Sequence, residues 1–220
     1  MMSNSVKTAV ASAVLLLAAS SANAALTTYT SQSAFQAAVG AISVDTYDDL
    51  GPDSLNGFEG PVTFNAGSIS YDASVGPVSN IFYGGSDDNA DYFLSTNNRT
   101  DTVTFNNFST SLNGAGGFFF GSDIFGFSTP AASIDITATD STGATLTYTI
   151  DAPGVNSFVG FATTGTLVSL SFTVGDQIGV WPSINNLQLA AAVPEPGTYA
   201  MMLAGLGLVG FAARRRARKG

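Results

Sequence analysis

An all-β, jelly-roll-like sandwich with one short N-terminal helix is the fold this sequence predicts, and three observations predict it. Ser133-Ile-Asp-Ile-Thr-Ala-Thr139 and Ala144-Thr-Leu-Thr-Tyr-Thr-Ile150 alternate apolar and polar residues on either side of the turn residues Asp140-Ser-Thr-Gly143, which is hairpin patterning. Residues 167–174 alternate in the same way from Val168 onward. Between and before these segments, short apolar runs recur at close spacing, separated by Gly, Asn, Asp and Ser, as in a sandwich or jelly roll.

In chain order, residues 1–24 read as an export signal. Lys7 supplies a positive start, residues 9–19 are an apolar stretch of 11, and Ala22-Asn23-Ala24 has the small residues that signal peptidase requires, so cleavage is expected after Ala24. Strands are then expected over residues 26–30, 42–47, 62–65, 68–72, 80–83, 92–95, 102–105, 117–120, 158–162 and 185–190. One helix interrupts them. Ser33 and Gln36 have capping-box spacing, Phe35 and Val39 share a face, and Gly40 stands at the C′ position, which places the helix across one end of the sandwich. Residues 25–192 form one expected domain, long enough to bury a core without staples and containing no cysteine.

The composition excludes several classes of chemistry. The chain has no histidine and no cysteine, and its two lysines, Lys7 and Lys219, lie in the terminal segments. Triads, thiol chemistry, Ser-Lys catalysis and His- or Cys-ligated metals are therefore removed. Fifteen of the 16 acidic residues lie within residues 25–192, where Arg99 is the sole cation, so nucleic acid is not an expected partner. Two carboxylates suffice for glycoside hydrolysis, and Glu59, the only glutamate in the domain, is the first candidate.

Asp87, Asn89 and Asp91 present oxygen donors at alternate positions, which suits Ca²⁺; an ordinary solvated acidic turn accounts for the same residues. Tyr92 stands where an EF-hand loop wants Gly, and Asn98 where it wants Glu. Asp45, Asp48, Asp49 and Asp53 form a second, less defined acidic group. Phe118 and Phe120 should face one side of a strand and Phe119 the other. Trp181, the only tryptophan, precedes Pro182 in an expected loop, where its ring either stacks on a sugar or plugs the sandwich.

The last segment, residues 193–220, has three parts: Pro194-Glu195-Pro196, the apolar residues 198–213, and the basic cluster Arg214, Arg215, Arg216, Arg218 and Lys219. The prolines keep the backbone extended. The apolar stretch is 16 residues, about 24 Å as a helix against a hydrocarbon core of about 30 Å. The arginines hold that end on the cytoplasmic side, which suits a transient inner-membrane anchor. This tripartite arrangement resembles the PEP-CTERM sorting signal of bacterial surface proteins. The resemblance implies that an exosortase cuts near the Pro-Glu-Pro residues, and it associates the chain with exopolysaccharide and biofilm. The order of strand, Phe-containing helix, Gly-rich β region and late Ile184-Asn-Asn-Leu187 is also similar to jelly-roll-like ectodomains of that family, some of them similar to carbohydrate-binding modules. The expected protein is thus an exported surface or matrix protein, structural or exopolysaccharide-interacting and not an enzyme. The alternative is a secreted carboxylate-dependent glycosidase or polysaccharide lyase.

Overall fold

The computed structural model describes residues 25–192 together with Gly205, Leu206 and Arg214, all three helical. The signal-peptide residues Ala22 and Ala24, the Pro194-Glu195-Pro196 site, the expected membrane helix as a whole, and Arg215, Arg216, Arg218 and Lys219 lie outside the described residues. Among the described residues no helix is long and apolar enough to cross a membrane.

The described body is all-β with one short helix, as expected. Its strands are β1 (Leu26–Tyr29), β2 (Ser43–Asp45), β3 (Phe58–Glu59), β4 (Val62–Ala66), β5 (Ile69–Gly76), β6 (Ile81–Ser86), β7 (Tyr92–Thr96), β8 (Thr102–Asn106), β9 (Leu112–Ser122), β10 (Ser128–Thr129), β11 (Ser133–Asp140), β12 (Thr145–Asp151), β13 (Phe158–Thr173) and β14 (Trp181–Ala191). The helix α1 spans Gln32–Val39. The main path of pairing runs β3-β6-β7-β14-β9-β13-β8-β5-β4, and the expected hairpin is present as β11 and β12, in register from Ser133 opposite Asp151 to Thr139 opposite Thr145.

Long strands that change partners fold this path into a near-closed barrel or sandwich. The first part of β13 pairs with β1 and β9, and its second part pairs with β8 and β11. β14 lies along β9 throughout while meeting β7 near its start and β2 near its end. A strand that passes from one layer to another makes the corner of a sandwich. The core between the layers is held without disulfides, since the chain has no cysteine. Tyr71 meets Phe64 and Phe105 at ring-centroid distances of 5.9 and 5.4 Å, Phe105 meets Phe172 at 6.0 Å, and Phe172 meets Phe119 at 5.2 Å, a file of rings across the interior.

Several expected boundaries change for identifiable reasons. The strand expected over residues 42–47 ends at Asp45 because Tyr47 has φ of 61°, outside the extended region, and two short 3₁₀ turns follow. Two expected strands, residues 158–162 and 167–174, are one 16-residue strand. Trp181 and Pro182 open β14 instead of lying in a loop, and the first positions of a strand are where proline is tolerated. The helix is capped by Ser31, whose hydroxyl accepts from the Ala34 N–H, not by Ser33. Gln36 turns away from the cap and donates to Gln188. The helix lies against β9 and β13, with Phe35 so close to Gly160 that a Cβ there would sit 2.6 Å from its ring.

Candidate functional site

The loop between β6 and β7 brings two of the three expected oxygen donors into a cleft. Ser86 and Asp88 build the loop: the Ser86 hydroxyl accepts from the Asn89 N–H at 2.8 Å, and Asp88 Oδ1 accepts from the Ala90 and Asp91 N–H groups at 2.9 and 3.0 Å. Side chains of this kind stabilise turns by replacing backbone partners. Asn89 occupies the tip with φ of 62°, a conformation asparagine accepts more readily than most residues. The backbone N–H groups of Asp91 and Ala90 hold the Asp88 carboxyl below its ordinary value. Asp87 Oδ1 accepts from the Ser128 N–H at 2.7 Å, tying the loop to β10.

Opposite this loop, β14 carries a bulge. Its register against β9 shifts between Asn185 and Gln188, and Asn186 has φ of 51°. Asn185 Oδ1 accepts from the Asn186 N–H at 2.7 Å, while Asn185 Nδ2 donates to Asp91 Oδ1, also at 2.7 Å. A bulge re-aims the side chains of the strand that carries it. Here both asparagines line the cleft with Asp87, Asp88 and Asp91, above the rings of Phe93, Phe118 and Phe120. The volume is about 230 Å³. As expected, Phe118 and Phe120 face one side of β9, whereas Phe119 is fully buried in the core on the other.

Chemically, this acidic cleft offers carboxylate and amide groups that hydrogen-bond hydroxyls, beside aromatic carbon surface. Both features suit a sugar ring. Asp87 and Asp91 each spend one oxygen on a protein donor. Asn89 does not line the cleft, and among the described residues no group of three or more His, Cys, Asp or Glu side chains is placed to hold a metal ion.

Other candidate residues stand elsewhere. Glu59 is exposed on β3 and lines neither this cleft nor the one around Trp181. Asp45 leaves its acidic group for the interior, where its carboxylate accepts from the Tyr71 hydroxyl at 2.7 Å and the Tyr47 N–H at 3.0 Å. Burial raises the Asp45 carboxyl above its ordinary value against the lowering effect of those two hydrogen bonds. Asp140 is a turn residue, accepting from the Thr142 hydroxyl and N–H and from the Ala144 N–H. Asn185 and Asn186 went unrecognised as site residues. The signal for them was Asn-Asn inside an apolar strand, a pair that disfavours regular pairing and favours a bulge.

Residues 192–216 match the PEP-CTERM protein-sorting motif, so the chain carries the tripartite signal that its tail resembles, consistent with an exosortase-substrate surface protein. No curated protein matches the chain in sequence. Solved structures that are similar include two carbohydrate-related ones. One is an exo-beta-1,3-galactanase from Phanerochaete chrysosporium, 15% identical with a TM-score of 0.30, over 58% of this chain and 29% of the galactanase chain. The other is the CBM22-1 xylan-binding domain from Paenibacillus barcinonensis, 14% identical with a TM-score of 0.31, over 62% of this chain and 94% of that domain. Neither likeness transfers a residue or a ligand. The flat expectation of a non-enzymatic domain is nevertheless corrected and withdrawn, on the chain's own residues. The composition argument removed histidine, lysine and cysteine chemistry but not carboxylate chemistry, and three carboxylates line the acidic cleft.

Proposed function

We propose that the protein is exported after cleavage by signal peptidase, held briefly in the inner membrane by residues 198–213, processed by an exosortase at the Pro-Glu-Pro site, and released to work on extracellular glycan. In this reading the β body, a jelly-roll-like sandwich, engages an exopolysaccharide of the cell surface or biofilm through the acidic cleft. The observation that carries it is the meeting of Asp91 and Asn185, hydrogen-bonded side by side, with the rings of Phe118 and Phe120. Hydroxyl-binding groups beside aromatic carbon surface are what a pyranose ring needs, and a strongly acidic body disfavours polyanionic ligands.

A second reading, cleavage of that glycan, is favoured by Asp87 and Asp91 in one cleft, since a pair of carboxylates can act as acid and as base or nucleophile. Binding is the step common to both. Asp87, Asn89 and Asp91 are kept as a proposed Ca²⁺ set, which would require the loop tip to turn inward. One experiment tests the reading: purified protein is incubated with exopolysaccharide from the producing cells. Retention that is lost in Asp91→Ala supports the acidic cleft. Release of reducing ends that stops in Asp87→Asn and Asp91→Asn selects cleavage, and absence of retention overturns the glycan reading.

A further inference from the structure

A second cleft opens on the same sheet face, beyond residues 126–128. Trp181 at the start of β14, Tyr83 on β6, Ser122 on β9 and Phe125 in the following loop contribute to its walls, and its volume is about 320 Å³. Trp181 lies opposite Ser122 in the β14–β9 register, and Asn185 of the acidic cleft lies opposite Phe118. Trp181 and Asn185 are thus about 13 Å apart along the strand, at about 3.3 Å per residue.

Three features of this second cleft bear on what it can bind. The Trp181 indole N–H donates to the Asn97 carbonyl at 3.1 Å, so what the ring offers the cleft is carbon surface. Phe125 is 76% exposed, yet its position is fixed, because Asp123 Oδ1 accepts from the Phe125 and Phe127 N–H groups at 2.8 and 3.0 Å. A large aromatic side chain held in water by a well-defined turn has no packing reason to be there. Beneath, the hydroxyls of Ser95, Ser122 and Ser183 form a closed triangle with edges of 2.8 to 3.0 Å. Each can donate once and accept once within it, so the floor is satisfied and retains lone pairs.

We propose that this cleft is a second glycan subsite, a platform on which a neutral pyranose ring of the polysaccharide stacks against Trp181 and Phe125. The proposal rests on the glycan reading of the acidic cleft and adds to it a neutral, aromatic subsite on the same face. Charge decides the class of sugar: Asp123 lines the cleft and no cation does, which disfavours a uronate, while the aromatic surface matches the C–H face of an uncharged ring.

Trp181 is the only tryptophan of the chain, so its fluorescence reports on this cleft alone. The full protein is titrated with neutral oligosaccharides prepared by partial hydrolysis of exopolysaccharide from the producing cells, with retention on the intact polysaccharide measured in parallel. The expected result is a saturable change in Trp181 emission. Trp181→Ala and the exposed Phe125→Ser should each lower affinity about tenfold, the order set by one lost aromatic stacking contact. Retention with unchanged emission and with both variants binding like the parent would overturn the second subsite while leaving the acidic cleft. Absence of both retention and emission change would overturn the two together.

Discussion

Asn185 and Asp91 are joined by a 2.7 Å hydrogen bond that links two non-adjacent parts of the chain, the bulge of β14 and the loop before β7. Asn185 is 7% exposed, so its amide has little access to water and depends on the carboxylate for a partner. Asp91 is exposed and keeps a second oxygen for a ligand. The pair acts as the clasp of the acidic cleft.

Removing either half should therefore be costly in a coupled way. Asn185→Ala is expected to lower stability by about 1.5–3 kcal/mol, the usual loss for a hydrogen bond to a charged group, and to weaken polysaccharide retention. Asp91→Ala should weaken retention with a smaller effect on stability. In the double variant the losses should fall short of additive, as for residues in direct contact. Denaturant unfolding and retention assays on the three proteins check this, and strict additivity in both would show that the two residues act separately.

Much of the strand pattern was legible because alternation is visible wherever one strand face is buried and the other wet. β11, β12 and the second half of β13 are of that kind. The start of β9 was hidden by Gly114, Gly116 and Gly117, which have poor strand propensity. Gly114 is demanded by the close approach of Val39, a tertiary reason with no local trace. The acidic loop was legible as a turn and as a candidate site, since Asp, Asn and Ser carry that chemistry locally. Its partners were not, because they lie about 30 residues away on β9 and about 95 residues away on β14 and reach it only through strand pairing and a bulge.

Stability should depend on pH in two opposed ways. Hydrogen bonds from Asn107 and Thr63 lower Asp72, those from Asp91 and Ala90 lower Asp88, and that from the Thr142 hydroxyl lowers Asp140. Their contributions are present above the unfolded value and are lost as pH falls through the folded values. Asp45 has the reverse sign. Burial puts its folded value above the ordinary 3.8, so its contribution is full below that value and is lost as pH rises through the folded one. Asp45→Asn removes only the second effect. The stability of the variant relative to the parent should rise from acid toward neutral pH, as read from urea midpoints. Parallel curves for the two proteins would contradict the buried, raised Asp45.

Gly160 should not accept a side chain. A Cβ at this position would lie 2.6 Å from the Phe35 ring, which is fully buried between α1 and the sheet. Gly160→Ala is expected to cost about 1–3 kcal/mol as an overpacked contact. Combining it with Phe35→Leu, which shortens the opposing side chain, should recover part of the loss. Thermal unfolding of the two single variants and the pair measures this, and a fully tolerated Gly160→Ala would place the helix elsewhere.

Processing should be readable by mass. Protein recovered from the surface of the native host is expected to begin at Ala25 and to lack Arg214, Arg215, Arg216, Arg218 and Lys219, because in the proposed route signal peptidase and an exosortase each remove a terminal segment. Intact-mass analysis distinguishes this form from the full chain, and a surface form that retains the basic cluster would rule out exosortase cleavage at Pro194-Glu195-Pro196.

The charge balance leads to a dependence on salt and, through the acidic loop, on the identity of the cation. Fifteen carboxylates and one arginine share residues 25–192, and that arginine, Arg99, is already paired with Asp176 at 2.8 Å. Repulsion among the remaining carboxylates acts over about a Debye length, so raising ionic strength should raise the melting temperature. A monovalent salt relieves this repulsion without geometry, whereas Ca²⁺ bound at Asp87 and Asp91 would share those carboxylates with the Ser128 N–H and the Asn185 amide. If the proposed Ca²⁺ set exists, millimolar Ca²⁺ should stabilise beyond Mg²⁺ at matched ionic strength, because the larger ion tolerates irregular oxygen ligation. The difference should vanish in the Asp87→Ala, Asp91→Ala double variant. Identical melting curves in the two salts would eliminate the calcium set and leave the loop as a turn whose carboxylates serve the cleft.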